Sequence, residues 1–470
     1  MNNLKAEKEI ARRQKQLDKS GTKSYFAYLF FIISVIYITD EVASAIATFM
    51  KTEIANDLMA KFGEGSVGRL NIITTLSFPI MALGVLYKPL ADRFGRKPFL
   101  VINTFGMCLG LLVVYLTQSL AGYIVGSVMT QFFITHDMQV VYIMESAPPK
   151  HRAKVYSSIK CIAMLGVMFI PLLRKLLLEN TSQWRRVYLA PALVGMAVSV
   201  IAMFLAKETD AFNTERINTL KGNATEKSEN ENGGIIKALK YGFKHSQIKW
   251  IFLALLFSET GYILTSDYQA VMTYGFANTA LQNGLFSSLE AATEGVAVNE
   301  VTTALFFYPI GCAISQLIPG FISDKKGRRV SAIAMSASAL VLFLCFWLGA
   351  EHGMPAQLVG FFCGGSVGTF WANIDTICLM AGESTPTSIR SSMLSAIYLP
   401  LGIGIGISMG VSIPLESIFG NSKIGIIAFC LAIPGLLADF LILTSKVKET
   451  KGIDLTEVDG SDFENTANAD

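Results

Sequence analysis

Asp92-Arg93-Phe94-Gly95-Arg96-Lys97 and Asp324-Lys325-Lys326-Gly327-Arg328-Arg329 are two versions of one charged turn, set half a chain length apart. A second pair repeats at the same interval. Glu145-Ser146-Ala147-Pro148, followed by Arg152, returns as Glu383-Ser384-Thr385-Pro386, followed by Arg390. Each copy closes a long apolar run. Two hydrophobic halves with the same charged turns between runs are the signature of a duplicated membrane transporter.

Composition supports this reading. The chain is 52% hydrophobic and 16% charged, with a mean hydropathy of +0.46. Soluble domains carry about a quarter charged residues. A net charge of +3 is too small to suggest a nucleic-acid partner. All cysteines (Cys108, Cys161, Cys312, Cys345, Cys363, Cys378, Cys430) lie inside apolar runs without metal-ligand spacing, so they read as small core residues. Residues 1–24 are rich in Lys, Arg and Glu and have no apolar stretch. They read as an amphipathic or disordered cytoplasmic tail, not a cleaved signal.

Twelve runs reach the length of about 20 residues that a bilayer crossing requires: 25–50, 68–90, 98–118, 121–147, 155–178, 187–206, 248–276, 302–323, 330–350, 356–382, 392–416 and 422–445. Only helices satisfy their own backbone in lipid at this hydropathy, so the fold class is an all-α membrane protein with two pseudo-symmetric six-helix bundles. The expected organisation is an N-terminal tail over 1–24, a first bundle over 25–206, a central loop over 207–247, a second bundle over 248–446 and a C-terminal tail over 447–470. Lys and Arg gather in the tails, the central loop and the 91–97, 150–154 and 325–329 turns. That bias places both termini in the cytoplasm of a cell-membrane protein. Arg174, Lys175, Arg185 and Arg186 fall on the other side and run against the bias. In span eleven, Gly402, Gly406 and Gly410 recur at four-residue spacing, with Gly404 between them, a stripe that allows close helix packing.

In each repeated turn the Gly lets the chain reverse, and the Asp is placed to cap a helix or pair with Arg. The D-R-x-G-R-K and D-K-x-G-R-R order resembles the signature loop of the major facilitator superfamily, found after helices two and eight as here. The family's Gly four residues before the Asp is present as Gly320; the first half has Lys88 instead. Tyr142-x-x-Glu145-x-x-Pro148-x-x-x-Arg152 and its second copy look like turns of the sugar porter and organic-ion branches. Glu449-Thr450-Lys451-Gly452-x-x-Leu455-x-Glu457 resembles the sugar porters' closing stretch, and Lys207-Glu208-Thr209 echoes it. Trp184-Arg185-Arg186-x-Tyr188 is similar to a further superfamily motif. The resemblance runs from about 25 to 458. It implies a cytoplasmic gate built from Asp92, Arg93, Gly95, Arg96, Glu145, Arg152, Asp324, Gly327, Arg328, Glu383 and Arg390, whose ion pairs hold the outward-open state. Exposed pairs contribute about 0–1 kcal/mol each, enough for several to bias a rocking equilibrium.

A carboxylate in a membrane helix costs at least about 2.5 kcal/mol and needs a reason. Here Asp40 and Glu41 lie in span one, Asp137 in span four, Glu259 and Asp267 in span seven, and Asp375 in span ten. Asp137 and Asp375 each precede their Glu-x-x-Pro turn by the same interval, which puts both about 12 Å inside the membrane. The resemblance implies that spans one, four, seven and ten line a central cavity. The expected proton-coupling and substrate site is Asp40, Glu41, His136, Asp137, Lys160, Glu259, Asp267, Trp371 and Asp375. A carboxylate in a dry cavity takes up a proton near neutral pH. The competing reading is structural: Asp137 paired with Lys160, and Asp375 bonded to Asn373, Thr376 or Trp371. Tyr142, Tyr262, Tyr268, Trp371 and Tyr398 are aromatic candidates for stacking on a substrate.

The excess of acids over His136 and Lys160 favours a neutral polar solute moving with a proton, or a cation. The reading is a secondary transporter working by alternating access, a proton-coupled symporter of a small, sugar-like or cationic solute. Sugar-binding glutamines of the porters do not carry over to spans five and seven. A drug–proton antiporter is an alternative, although its Gly-Pro run is missing from span five; a non-transporting sensor is another. No phosphate loop, zinc motif or nucleophile turn suggests an enzyme. No cofactor or metal is expected. The expected partners are a small-molecule substrate, a proton or other cation, and the lipid bilayer, with a monomer as the working unit.

Overall fold

The computed structural model describes residues 2–20, 23–60, 66–72, 87, 91, 94–134, 139, 142–143, 152–221, 235–385 and 390–452. His136, Asp137, Asp92, Arg93 and Glu145 lie outside the described residues. Arg152 and Arg390 each begin a described helix, without a described side chain.

The first half contains α1 (Asn2–Ser20), α2 (Lys23–Phe49), α3 (Lys51–Leu58), α4 (Arg96–Leu116), α5 (Leu120–Phe132), α6 (Arg152–Gly166), α7 (Phe169–Leu177) and α8 (Arg186–Leu205). Residues 66–72 are also helical. The central segment forms α9 (Asp210–Leu220) and α10 (Ile235–Lys244). The second half contains α11 (Ser246–Glu259), α12 (Ile263–Ser266), α13 (Tyr268–Gln282), α14 (Leu289–Val296), α15 (Thr302–Lys326), α16 (Arg328–Glu351), α17 (Ala356–Glu383), α18 (Arg390–Ala396), α19 (Tyr398–Phe419) and α20 (Ile424–Ser445). Among the described residues, eight helices are long and apolar enough to cross a membrane. Spans two, four, seven and ten are not among them; most of span two and the second part of span four lie outside the described residues. Span seven is broken into α11, α12 and α13, and α17 buries most of its length with small and polar residues. A central helix faces protein more than lipid, so its hydropathy falls.

The breaks in the spans have local causes. Pro171 sits just inside α7 and Pro400 just inside α19, where a missing N–H ends the preceding helix. Close packing is set by α17 against α15. A Cβ added at Gly364 would lie 1.9 Å from the Tyr308 carbonyl, and one at Gly360 1.8 Å from the Ala304 carbonyl. Only glycine permits that approach. The glycines of span eleven divide. Among the described residues, added Cβ atoms at Gly402, Gly406 and Gly410 would meet nothing within 4 Å, whereas one at Gly404 would lie 2.4 Å from the Leu256 carbonyl of α11.

The tails and central loop are more ordered than their composition suggests. Residues 2–20 form α1, which docks on α9: Arg13 donates to Asn213 Oδ1 at 2.7 Å, and Gln16 donates to the Glu208 carbonyl at 2.6 Å. The described part of the central loop is helical at both ends. Its middle, 222–234, and the tail from 453 lie outside the described residues.

Candidate functional site

The two membrane faces differ in chemistry. The terminal face carries α1, α9 and both repeated turns. There Gly95 and Gly327 share one backbone conformation, each at φ 106°. That left-handed region favours glycine, and it exposes the first N–H groups of α4 and α16. Glu208 accepts from the Arg96 and Lys97 amides at 2.9 and 3.2 Å. Glu449 accepts from the Arg328 and Arg329 amides at 2.8 and 3.1 Å. Each Glu also accepts from the next amide, Thr209 or Thr450, at 3.0 Å. A carboxylate on a helix N-terminus satisfies open donors and meets the positive end of the dipole. Burial pushes the Glu208 carboxyl up, opposed by those three amides. The Lys-Glu-Thr echo is therefore a true structural repeat. Sequence reading noted both copies but assigned neither Glu to the site.

Behind the second cap, Arg328 pairs with Glu383 at 3.1 Å and reaches Asp324 at 3.5 Å. Thr450 donates to Glu383 at 2.6 Å. These pairs stay within the second half. Lys154 of α6 and Asp324 of α15 do cross between halves, at 3.9 Å with Lys154 nearly half exposed. Tyr142 lies at this face too. Its hydroxyl donates to the Lys207 carbonyl, so it is a packing residue there and not a cavity lining.

Between the faces, Lys160 of α6 pairs with Asp375 of α17, linking the two bundles. Asp375 is thus a carboxylate partner of Lys160; the Asp137 of the structural reading lies outside the described residues. Asn373 is engaged elsewhere, donating to Asp439 at 2.9 Å and to Ser258 at 3.0 Å. Thr376 donates to the Ala372 carbonyl. Lys160 and Asp375 each lie eight residues from the terminal-face ends of their helices, at Arg152 and Glu383, about 12 Å in. Tyr156 lies one turn before Lys160, with its ring 5.8 Å from the ammonium and its hydroxyl 3.4 Å from that of Tyr37. One turn before Asp375, Trp371 meets Tyr262 edge-on at 6.3 Å. The Asp375 side chain keeps 25% exposure, which leaves the pair within reach of a solute.

The far face is closed by a buried ionic network that joins the halves. Arg174 pairs with Glu53 at 2.6 Å, their side chains 0% and 1% exposed. Arg174 also donates to the Phe49 carbonyl at 2.7 Å and the Ala297 carbonyl at 3.2 Å. Gln269 donates to Thr52 at 2.6 Å and accepts from the Thr52 amide at 2.9 Å. Lys51 pairs with Asp267 at 2.8 Å and donates to the Ser266 carbonyl at 3.1 Å. Asn71 donates to Asp267 at 3.2 Å and to Glu416 at 3.4 Å. Asp267 sits at the joint between α12 and α13, where the broken helix turns its carboxylate into the network.

The expected site residues therefore divide. Asp375, Lys160 and Trp371 stand at the centre, with Tyr37 and Tyr156. Asp267 belongs to the far-face network. Asp40 and Glu41 are buried in α2. Glu259 is buried at the end of α11, and its Oε2 has no hydrogen-bond partner among the described residues. Tyr268 stacks on Tyr308 at 4.7 Å and is core. Sequence reading missed Lys51, Glu53, Asn71, Gln269 and Glu416, and it treated Arg174 only as a breach of the charge bias. The signal for Arg174 was that breach itself. Arg185 is likewise accounted for by Asp57 at 2.6 Å.

Comparison with known proteins fits this architecture. The family model of the Major Facilitator Superfamily matches residues 29–294. The chain belongs to that superfamily. Its members are membrane transporters of small molecules, not enzymes. Over 363 residues it is 23% identical to the α-ketoglutarate permease of Escherichia coli, covering 72% of each chain. It is 33% identical over 165 residues to a Haemophilus influenzae protein named for metabolite transport, spanning 35% of this chain and only 36% of that relative's length. The crystal structure of a D-xylose–proton symporter superposes with a TM-score of 0.60 at 14% identity, covering 91% of this chain and 99% of that one. The fucose–proton symporter of Escherichia coli gives 0.56 at 12% identity, covering 89% and 98%. At these identities the solved structures establish the fold alone: two six-helix bundles in a multi-pass membrane protein.

Proposed function

We propose that this protein is a proton-coupled symporter of a small neutral polar or cationic solute, a sugar or polyol being the first candidate. The Lys160–Asp375 pair carries the reading. It lies about mid-membrane, bridges the two bundles and remains partly exposed. Rocking of the bundles has to break or remake such a bond, so a proton on Asp375, or a solute that replaces one partner, couples directly to the motion. Lys160 is already neutralised by Asp375, so the described centre offers no uncompensated cation to an anionic solute. The terminal face, rich in Lys and Arg, is cytoplasmic in this reading. The protein works as a monomer in the cell membrane.

One observation favours a second reading. The α-ketoglutarate permease is a relative over most of the chain, and a dicarboxylate would take the place of Asp375 beside Lys160. Proteoliposomes with an imposed pH gradient decide between the two. A panel of sugars, polyols, organic cations and dicarboxylates should give gradient-driven accumulation of a neutral or cationic solute. Asp375→Asn should abolish that accumulation while leaving exchange measurable. Accumulation of a dicarboxylate alone, lost in Lys160→Met, would establish the second reading instead. A wild-type protein that accumulates nothing in response to the gradient would sink proton coupling.

A further inference from the structure

The far-face network holds more acid than base. Asp267 and Glu416 converge on one Asn71 amide nitrogen, at 3.2 and 3.4 Å. Among the described residues, the charged groups that face Glu416 are Asp267 and Lys51, and Lys51 is already bound to Asp267 at 2.8 Å. The next ion pair, Arg174 with Glu53, is balanced within itself. Glu416 is 0% exposed, and its Oε1 has no hydrogen-bond partner among the described residues. Ser412, one turn earlier on α19, donates to the Met409 carbonyl at 3.3 Å and is also a side-chain hydrogen-bond partner of Glu416. Gly68 closes the other side; a Cβ there would lie 3.2 Å from Glu416 Oε2. Two carboxylates with one ammonium in a dry site leave one uncompensated negative charge, which costs several kcal/mol unless a proton neutralises it.

The elements around this site come from both bundles. Lys51, Gly68 and Asn71 belong to the first, and Asp267 and Glu416 to the second. Opening the far face separates them and lets water reach both carboxylates, where each can be charged. Closing brings them together and expels that water.

We propose that Asp267 and Glu416, bridged by Asn71 across the bundles, form a one-proton site that must be loaded from the far-side solution before the far face closes. The proton sits on Glu416, whose Oε1 has no hydrogen-bond partner among the described residues, and one proton there balances the cluster. Closure takes up one proton, so acid on the far side favours the closed arrangement. The site deepens the proton-coupled reading above, on which it rests, by placing a proton requirement on the gate and away from Asp375.

The test follows the gate itself and needs no substrate. Genetically encoded spin labels at Gln118 and Asn283, exposed loop positions at the far ends of α4 and α13, report the separation of the bundles in lipid nanodiscs. In the wild type the closed-to-open ratio should rise as pH falls, by up to about tenfold per pH unit within the titrating window. Glu416→Gln keeps the shape and the Asn71 contact; it should be closed at every pH with no slope. Lys51→Met removes the one cation that faces the pair among the described residues, so a single proton no longer makes the cluster neutral and the slope should steepen. A flat wild-type profile, a Glu416→Gln profile with the wild-type slope, or a Lys51→Met profile that superimposes on wild type would each overturn the proposal. Failure of gradient-driven uptake in the wild type would instead overturn proton coupling and leave the gate measurement standing. A flat gate profile with intact gradient-driven uptake would remove this site alone.

Discussion

The two faces of this transporter use the same residue types for opposite purposes. At the terminal face, Glu208, Glu449, Glu383 and Arg328 sit in repeated positions and bond largely to backbone or to their own half. At the far face, Arg174, Glu53, Lys51 and Asp267 are at most 8% exposed and bind across the halves. The repeated charges hold helix ends in place within each bundle. The unrepeated ones hold the two bundles against each other. Among the described residues, the repeated turn charges contact mostly their own half, whereas Asp375, also at a repeated position, and the far-face residues bind across the halves.

The strongest way to break this comparison is at Arg174. Removing one member of a buried pair leaves a stranded charge, at about 3–5 kcal/mol. Arg174→Met should lower the apparent unfolding temperature in detergent far more than any terminal-face change, and Arg174→Met with Glu53→Gln should recover much of the loss. Equal losses in the single and the double variant would mean that the pair does not act as a unit. The caps come next. Glu449→Ala strips the acceptor from two amides at the start of α16 and should cost about 0.5–2 kcal/mol, the range for a lost N-cap. Faster hydrogen exchange confined to the first turn of α16 is the local readout.

Glu208 sharpens the comparison through pH. Burial raises its carboxyl above the ordinary range, so the folded protein binds that proton more tightly than the unfolded chain does. Its charge then opposes folding at neutral pH, and the penalty disappears as pH falls through the folded value. Acidification toward the ordinary carboxylate range should stabilise the protein through this residue. Glu208→Gln should remove that contribution while changing stability at neutral pH by less than about 1 kcal/mol. A wild type and variant whose unfolding temperatures shift in parallel with pH would contradict it. The smallest effect belongs to Lys154→Ala. Its pair with Asp324 crosses the halves but is long and exposed, worth about 0–1 kcal/mol. Bundle separation measured at the terminal face should stay near wild type, and a large opening there would erase the distinction between the faces.

Some of this was legible in the chain and some was not. The duplicated turns, the apolar runs and the Asp375 position announced a two-bundle transporter with an intramembrane acid. Of the span-eleven glycines only Gly404 makes a close approach among the described residues, to α11, because spacing shows which face of a helix is smooth and not which neighbour lies on it; Gly360 and Gly364 approach α15 as closely.

The sequence by itself determined the helices, their repeat and the turn chemistry, because each depends on residues within a turn or two of one another. The partnerships were decided only in the tertiary structure. Lys160 and Asp375 are 215 residues apart, and Asn71 and Glu416 are 345 apart. A buried charge declares that it needs a partner. Which partner it finds depends on how two separately folded bundles meet, and no local pattern encodes that.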